Sequence, residues 1–309
     1  VFSAFSFLTI NFYAQGVIKA DEITGKGHLR LARWRESGAL AGVCLASVAP
    51  VALGAVMQQP FAGFAVGFAV LAMAAVIAMR TEWSTAGVAA STGFGAVLSD
   101  PLARRLLVIA LLNAIPVAVT STLCLFCVES RLEAPGWEGP LLLRFFLAAA
   151  ASAPIWGRIA RAIGHKRALL SGMALAILSF GCAAFLGPGD TLWFALICIV
   201  SGATLGADMT LLPAIFAARL EEISPEAAEG CGLWSFVSKF TLAFAAVTLL
   251  PVLEWQGFQA GTDAMPREAL TTLTFMYAVL PCGLKLIAMA LLASTSMDPL
   301  RTAQTLREV

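Results

Sequence analysis

The stretch "PFAGFAVGFAVLAMAAVIAM", residues 60–79, constrains the fold more than any other, because it offers no polar side chain anywhere around its circumference. As a helix rising 1.5 Å per residue it is about 30 Å long, the thickness of a bilayer's hydrocarbon core. Water would demand its burial on every side. Lipid tolerates it as it stands, since a helix satisfies its own backbone. Comparable runs recur, so about nine spans are expected, near 1–18, 36–58, 61–80, 104–128, 140–157, 168–187, 191–217, 232–254 and 269–293. The composition agrees: 59% of residues are hydrophobic and 13% charged, against about 45–50% and 25% in soluble domains. The expected fold class is an all-α polytopic membrane protein.

Where the basic residues fall gives the expected orientation. Fifteen of the 20 lie in one set of alternate loops, from Lys19 and Arg35 through Arg104, Arg105, Lys166 and Arg219 to Arg307. The opposite loops hold Arg131 and Arg267, and Arg144, Lys239 and Lys285 fall inside helices. Positive charge favours the cytoplasmic side, which puts the C-terminus there and the protein, multi-pass, in the cell (inner) membrane. A net charge of +1 leaves no basic excess for nucleic acid, so none is expected as a partner. The expected partners are a small-molecule solute and the bilayer, for a monomer. Seven scattered cysteines include one C-x-x-C, Cys124 and Cys127, which reads as small apolar helix residues. His28 and His165 fall in loops, and no H-E-x-x-H, G-x-S-x-G or P-loop occurs. No cofactor, metal site or catalytic residue is expected, and a membrane-embedded enzyme is the weakest reading.

The longest interior connection, "RTEWSTAGVAASTGFGAVLSDPLARR" at 80–105, has three spans before it and six after. Six-helix halves joined by a cytoplasmic loop are the plan of the major facilitator superfamily. The segment "GRIARAIGHKRALL" resembles that superfamily's basic loop between the second and third helices of a half, through Gly157, Arg158, Gly164, Lys166 and Arg167. Several segments are similar to the glycoside–pentoside–hexuronide:cation symporters, the family of the melibiose carrier. "TINFYAQGVIKAD" and "RLARWRESGALAGV" resemble its fourth and fifth helices, and "LLNAIPVAVTSTLCLFCVESRL" its seventh. "GADMTLLPAIFAARLEE" resembles the tenth helix, and "GLWSFVSKFTLAFAAV" the eleventh, lysine included. In that register the chain carries helices four to twelve and lacks the first three. Residues 1–80 are then the remainder of the N-terminal bundle, 81–103 a cytoplasmic linker and 104–309 the C-terminal bundle.

The resemblance implies a secondary transporter of a small polar solute, a sugar or glycoside, coupled to Na⁺ or H⁺. A transport-inactive fragment or a regulatory relative stays open beside it. Arg35 matches an arginine that the family uses on sugar hydroxyls. Asn11 stands where the melibiose carrier has an aspartate serving cation and sugar, and Gln15 where it has a stacking tryptophan. An amide brings neither charge nor a titratable proton, so Asn11 weakens the expectation of sodium coupling. Tyr13 is the candidate replacement for the lost aromatic face. Lys239 and Asp208 lie about 10 Å and 13 Å from the basic ends of consecutive spans. A buried charge needs a partner, so these two are expected to pair and, with Asn11, Gln15 and Arg35, to line the solute site. Lys285, at about the same depth as Asp208, is a competitor for it.

Overall fold

The computed structural model describes residues 7–9, 11–12, 15–16, 19, 27–54, 56–82, 94–134, 136–223, 228–256 and 267–295. Its helices are α1 (Gly27–Gly54), α2 (Pro60–Met79), α3 (Gly95–Ser99), α4 (Pro101–Phe126), α5 (Glu138–Ile163) and α6 (His165–Ala183). They continue with α7 (Thr191–Ile223), α8 (Ala228–Trp255), α9 (Arg267–Thr274) and α10 (Leu280–Ala293). Five-residue π turns prolong α4 (Cys127–Arg131) and join α9 to α10 (Phe275–Val279). No strand occurs among the described residues, and eight helices there are long and apolar enough to cross a membrane. The ninth expected span, 1–18, falls largely outside the described residues, as do Tyr13, 83–93 of the linker and 296–309.

Several helices run further than the apolar runs suggested, because charges at a helix end do not stop it. The span expected from 104 begins at Pro101. Asp100 caps it by accepting the Ala103 N–H at 2.7 Å, and proline suits the first helical position. The span expected over 140–157 extends to Ile163. The anticipated 157–167 loop therefore shrinks to a turn at Gly164, whose φ of +90° suits glycine. Gly157 was expected in that loop with Gly164. It is instead helical and buried, while the exposed Arg158 projects from the same helix.

Packing centres on α7, which lies against α5 and α6. "GATLG", residues 202–206, places two glycines one turn apart, the small-x-x-x-small spacing that lets backbones approach. A methyl group on Gly202 would lie 2.1 Å from the Phe145 carbonyl oxygen, and one on Gly206 2.6 Å from that of Ala149. Ser152 Oγ and Trp156 Nε1 of α5 both donate to the Ala203 carbonyl, at 2.8 and 2.7 Å. α4 is flanked by α8 and α10, and α10 also packs on α6. From the N-terminal part, α1 crosses onto α5 and α7, where Leu40 meets Leu205, Ala149 and Phe145. α2 buries none of its residues against the described protein, as expected of a helix that is apolar all round.

Candidate functional site

Burial turns each polar group inside such a bundle into a question of satisfaction. Most hydroxyls answer it locally: Thr120 donates to Pro116 O at 3.0 Å, Ser201 to Ile197 O at 2.6 Å and Thr204 to Ser201 O at 2.7 Å. Charges have no such local remedy. Among the described residues, Asp208 and Lys285 are the only buried charged side chains, 7% and 5% exposed. Lys285 Nζ lies 2.5 Å from Asp208 Oδ2 and donates also to Asn113 Oδ1 at 3.0 Å. Three helices, α4, α7 and α10, thus meet at one ammonium group.

This corrects the expected pairing of Asp208 with Lys239. α8, which carries Lys239, follows α7 in sequence and touches it through Phe216 and Trp234, but packs chiefly along α4. α10 wedges between α4 and α6 and delivers Lys285 to Asp208 instead. Lys239 is half-buried and has an interaction of its own. Sequence reasoning missed Asn113, although an asparagine within "LLNAIP" is as conspicuous in an apolar run as a charge.

Proline marks the helices that build the site. Pro116 lies three residues after Asn113 inside α4, and Pro281 four before Lys285 at the start of α10, directly after the π turn. Both prolines, with Thr120, Ser201, Thr204, Asp208 and Lys285, line a pocket with about 390 Å³ of space not filled by atoms, part of it at the open mouth. The part that a water-sized molecule can enter is about 20 Å³, room for about one water. Phe145, Phe180 and Ile177 make its walls largely apolar.

Asn11, Gln15, Arg35 and Lys239 do not line this pocket. The Asn11 amide donates to the Phe7 carbonyl, four residues earlier, at 2.8 Å. Gln15 and Arg35 are half-buried, each with an interaction of its own. Arg35 sits on α1 five residues before Leu40, which packs against the pocket-lining Phe145 and Leu205. Of the five residues expected to share a site, Asp208 alone enters this one.

The basic loop residues act at the end of the bundle. Lys166 Nζ donates to the carbonyls of Ala293 and Thr295 at 2.9 and 2.7 Å. Arg105 donates to Ser294 Oγ at 2.6 Å and to Leu291 O at 3.4 Å. Two cations therefore cap the C-terminal carbonyls of α10, where the helix dipole favours positive charge, and they steady the helix that carries Lys285. Arg167 is exposed. At the same end Arg219 of α7 grips Asp100 through two bonds, Nε at 3.1 Å and Nη2 at 2.5 Å, and also contacts Glu222.

The Arg219 guanidinium, by hydrogen bonding first, holds the Asp100 carboxyl below its ordinary value of 3.8. A lowered folded-state value means that the unfolded chain binds the proton more readily. The stabilisation is therefore present above pH ~4 and lost as pH falls through the folded value. Asp100→Asn is expected to flatten the acid limb of thermal stability between pH 7 and pH 3. Identical acid limbs for the two proteins would remove Asp100 from the explanation.

The family model described as MFS/sugar transport protein matches residues 1–298. No curated protein matches the chain. The apolar helices, the crossing of α1 onto the later bundle and a buried charge cluster among proline-marked helices all accord with that match, and the chain, an integral multi-pass membrane protein, belongs to the MFS/sugar transport protein family.

Proposed function

We propose that the chain is a secondary transporter of a sugar or glycoside, of the glycoside–pentoside–hexuronide kind, working by alternating access. The observation that carries this reading is the Asp208–Lys285–Asn113 cluster, which holds the only buried charges among the described residues. Removing two charges from water costs several kcal/mol per ion, and well-packed hydrophobic residues would often hold helices together as well. Intramembrane charges that persist against that cost mark solute or ion pathways. Discontinuous helices near the midplane are where transporters of this architecture place their sites, and the prolines and π turn beside the cluster fit that habit.

The test is uptake of radiolabelled sugars into proteoliposomes carrying the full-length protein, with Na⁺ and H⁺ gradients imposed separately. Accumulation of a sugar above protein-free vesicles is expected, and a sodium gradient is expected to leave it unchanged because Asn11 brings no carboxylate. Uptake no faster than in empty vesicles for every sugar would sink the reading. The orientation that the basic residues imply, with Lys166 and Arg219 facing the cytoplasm of an inner membrane, is tested with single cysteines in a cysteine-free background. Exposed positions at opposite ends serve: Arg161→Cys should react only from the cytoplasm and Glu133→Cys only from outside. The reverse pattern would overturn it.

A further inference from the structure

We infer that a neutral, hydroxylated solute is anchored at Asp208 and Lys285 through one of its hydroxyl groups, in the pocket inside the α4–α10 bundle. The inference deepens the transport reading and rests on it.

Three observations converge. Asp208 lines the pocket with Oδ2 held by Lys285, yet its Oδ1 is fully buried and has no hydrogen-bond partner. A carboxylate oxygen left so is costly and calls for a donor. Lys285 lines the same pocket with two of its three N–H donors matched, to Asp208 and Asn113. Thr120, Ser201 and Thr204 line the pocket with their protons already given to backbone carbonyls, so their hydroxyls are left as acceptors.

The chemistry of the occupant follows. The cluster offers an orphan acceptor, Asp208 Oδ1, beside a third Lys285 N–H, and a hydroxyl group both donates and accepts. An ammonium could donate to Asp208 but not accept from Lys285. A carboxylate would accept from Lys285 but be repelled by Asp208. The two protein charges cancel, so a charged solute would leave a net charge in a low-dielectric interior, whereas a neutral one leaves none. Phe145, Phe180 and Ile177 give the pocket apolar walls for C–H surface, the usual build of a small-molecule site with a few placed polar groups. Because Oδ1 is screened from solvent in this conformation, the pocket must open around the solute as it enters.

Cys282 provides a reporter, since it lines the pocket and is only partly buried. In a variant keeping Cys282 as its sole cysteine, the rate of alkylation by N-ethylmaleimide is measured in proteoliposomes, alongside uptake. Glucose, galactose, xylose and maltose serve as neutral probes, glucosamine and glucuronate as cationic and anionic counterparts. At least one neutral sugar is expected to slow alkylation several-fold, and both charged analogues to have little effect. Asp208→Glu keeps the charge pair but moves the carboxylate, and should raise the sugar concentration needed for half-maximal protection at least tenfold while the protein stays folded by circular dichroism. Stronger protection by glucuronate or glucosamine, or an unchanged half-maximal concentration in a folded Asp208→Glu variant, would overturn the assignment. Sugar uptake without any protection of Cys282 would do so too and leave the transport reading standing. Absence of both uptake and protection would remove the transport reading and this site with it.

Discussion

Lys285→Met is expected to destabilise the protein by about 3–5 kcal/mol, because it strands the Asp208 carboxylate in a low-dielectric interior. That is a large share of the roughly 5–15 kcal/mol by which a folded domain exceeds its unfolded chain, so low folded yield from detergent is part of the expected result. Asp208→Asn should do similar harm by leaving the ammonium with Asn113 alone, 3.0 Å away. The double variant should be milder than either single change, since both charges then leave together. That non-additivity separates a coupled pair from two independent residues. Thermal melting and monodisperse yield of the four proteins give the measurement, and additive losses would refute the pairing. The same cycle built on Lys239 and Asp208 should show little coupling, since Asp208 spends its ion pair on Lys285.

Gly206→Ala should lower stability by about 1–3 kcal/mol, and Gly202→Ala by as much or more. The added methyl group at Gly206 would stand 2.2 Å from Ser152 Oγ and 2.6 Å from the Ala149 carbonyl oxygen. At Gly202 the obstacle is the Phe145 backbone, which has no rotamer through which to retreat. The helices can relieve either clash only by separating, which also stretches the Ser152 and Trp156 bonds to Ala203 O. Phe145 and Ser201 both line the pocket, so the separation should reach the site and reduce solute binding as well. Gly181→Ala in α6 is the control: nothing lies within 4 Å of its added methyl, and alanine is the better helix former by about 0.5–1 kcal/mol. Equal melting temperatures for Gly206→Ala and Gly181→Ala would show that close approach at "GATLG" does not hold α5 to α7.

Asp208 was legible in the sequence because a carboxylate in the middle of an apolar run has to be accounted for wherever the helix goes. Its partner was not. Both Lys239 and Lys285 lie deep enough to reach it, and chain order favoured the lysine on the next helix. Asn113 went unnoticed for a related reason: a neutral amide costs less than a charge, and only the arrival of Lys285 gives it a role. The positions for which family resemblance argued, Asn11, Gln15 and Arg35, are not among the residues lining the pocket around Asp208.

The sequence by itself determined that this chain crosses a membrane many times, since twenty apolar residues in succession, as at 60–79, have no other stable place. It also determined which residues would be costly in that setting, because the penalty for a buried charge depends on the solvent around the helix and not on its neighbours. Only the tertiary structure decided who satisfies whom. Chain order makes α8 the neighbour of α7, but the groove between α4 and α6 accepts α10, and the glycines of α7 seat it on α5. Which lysine meets Asp208 depends on that three-dimensional adjacency. Side-chain shape along whole helix faces fixes it, and no short stretch of sequence contains it.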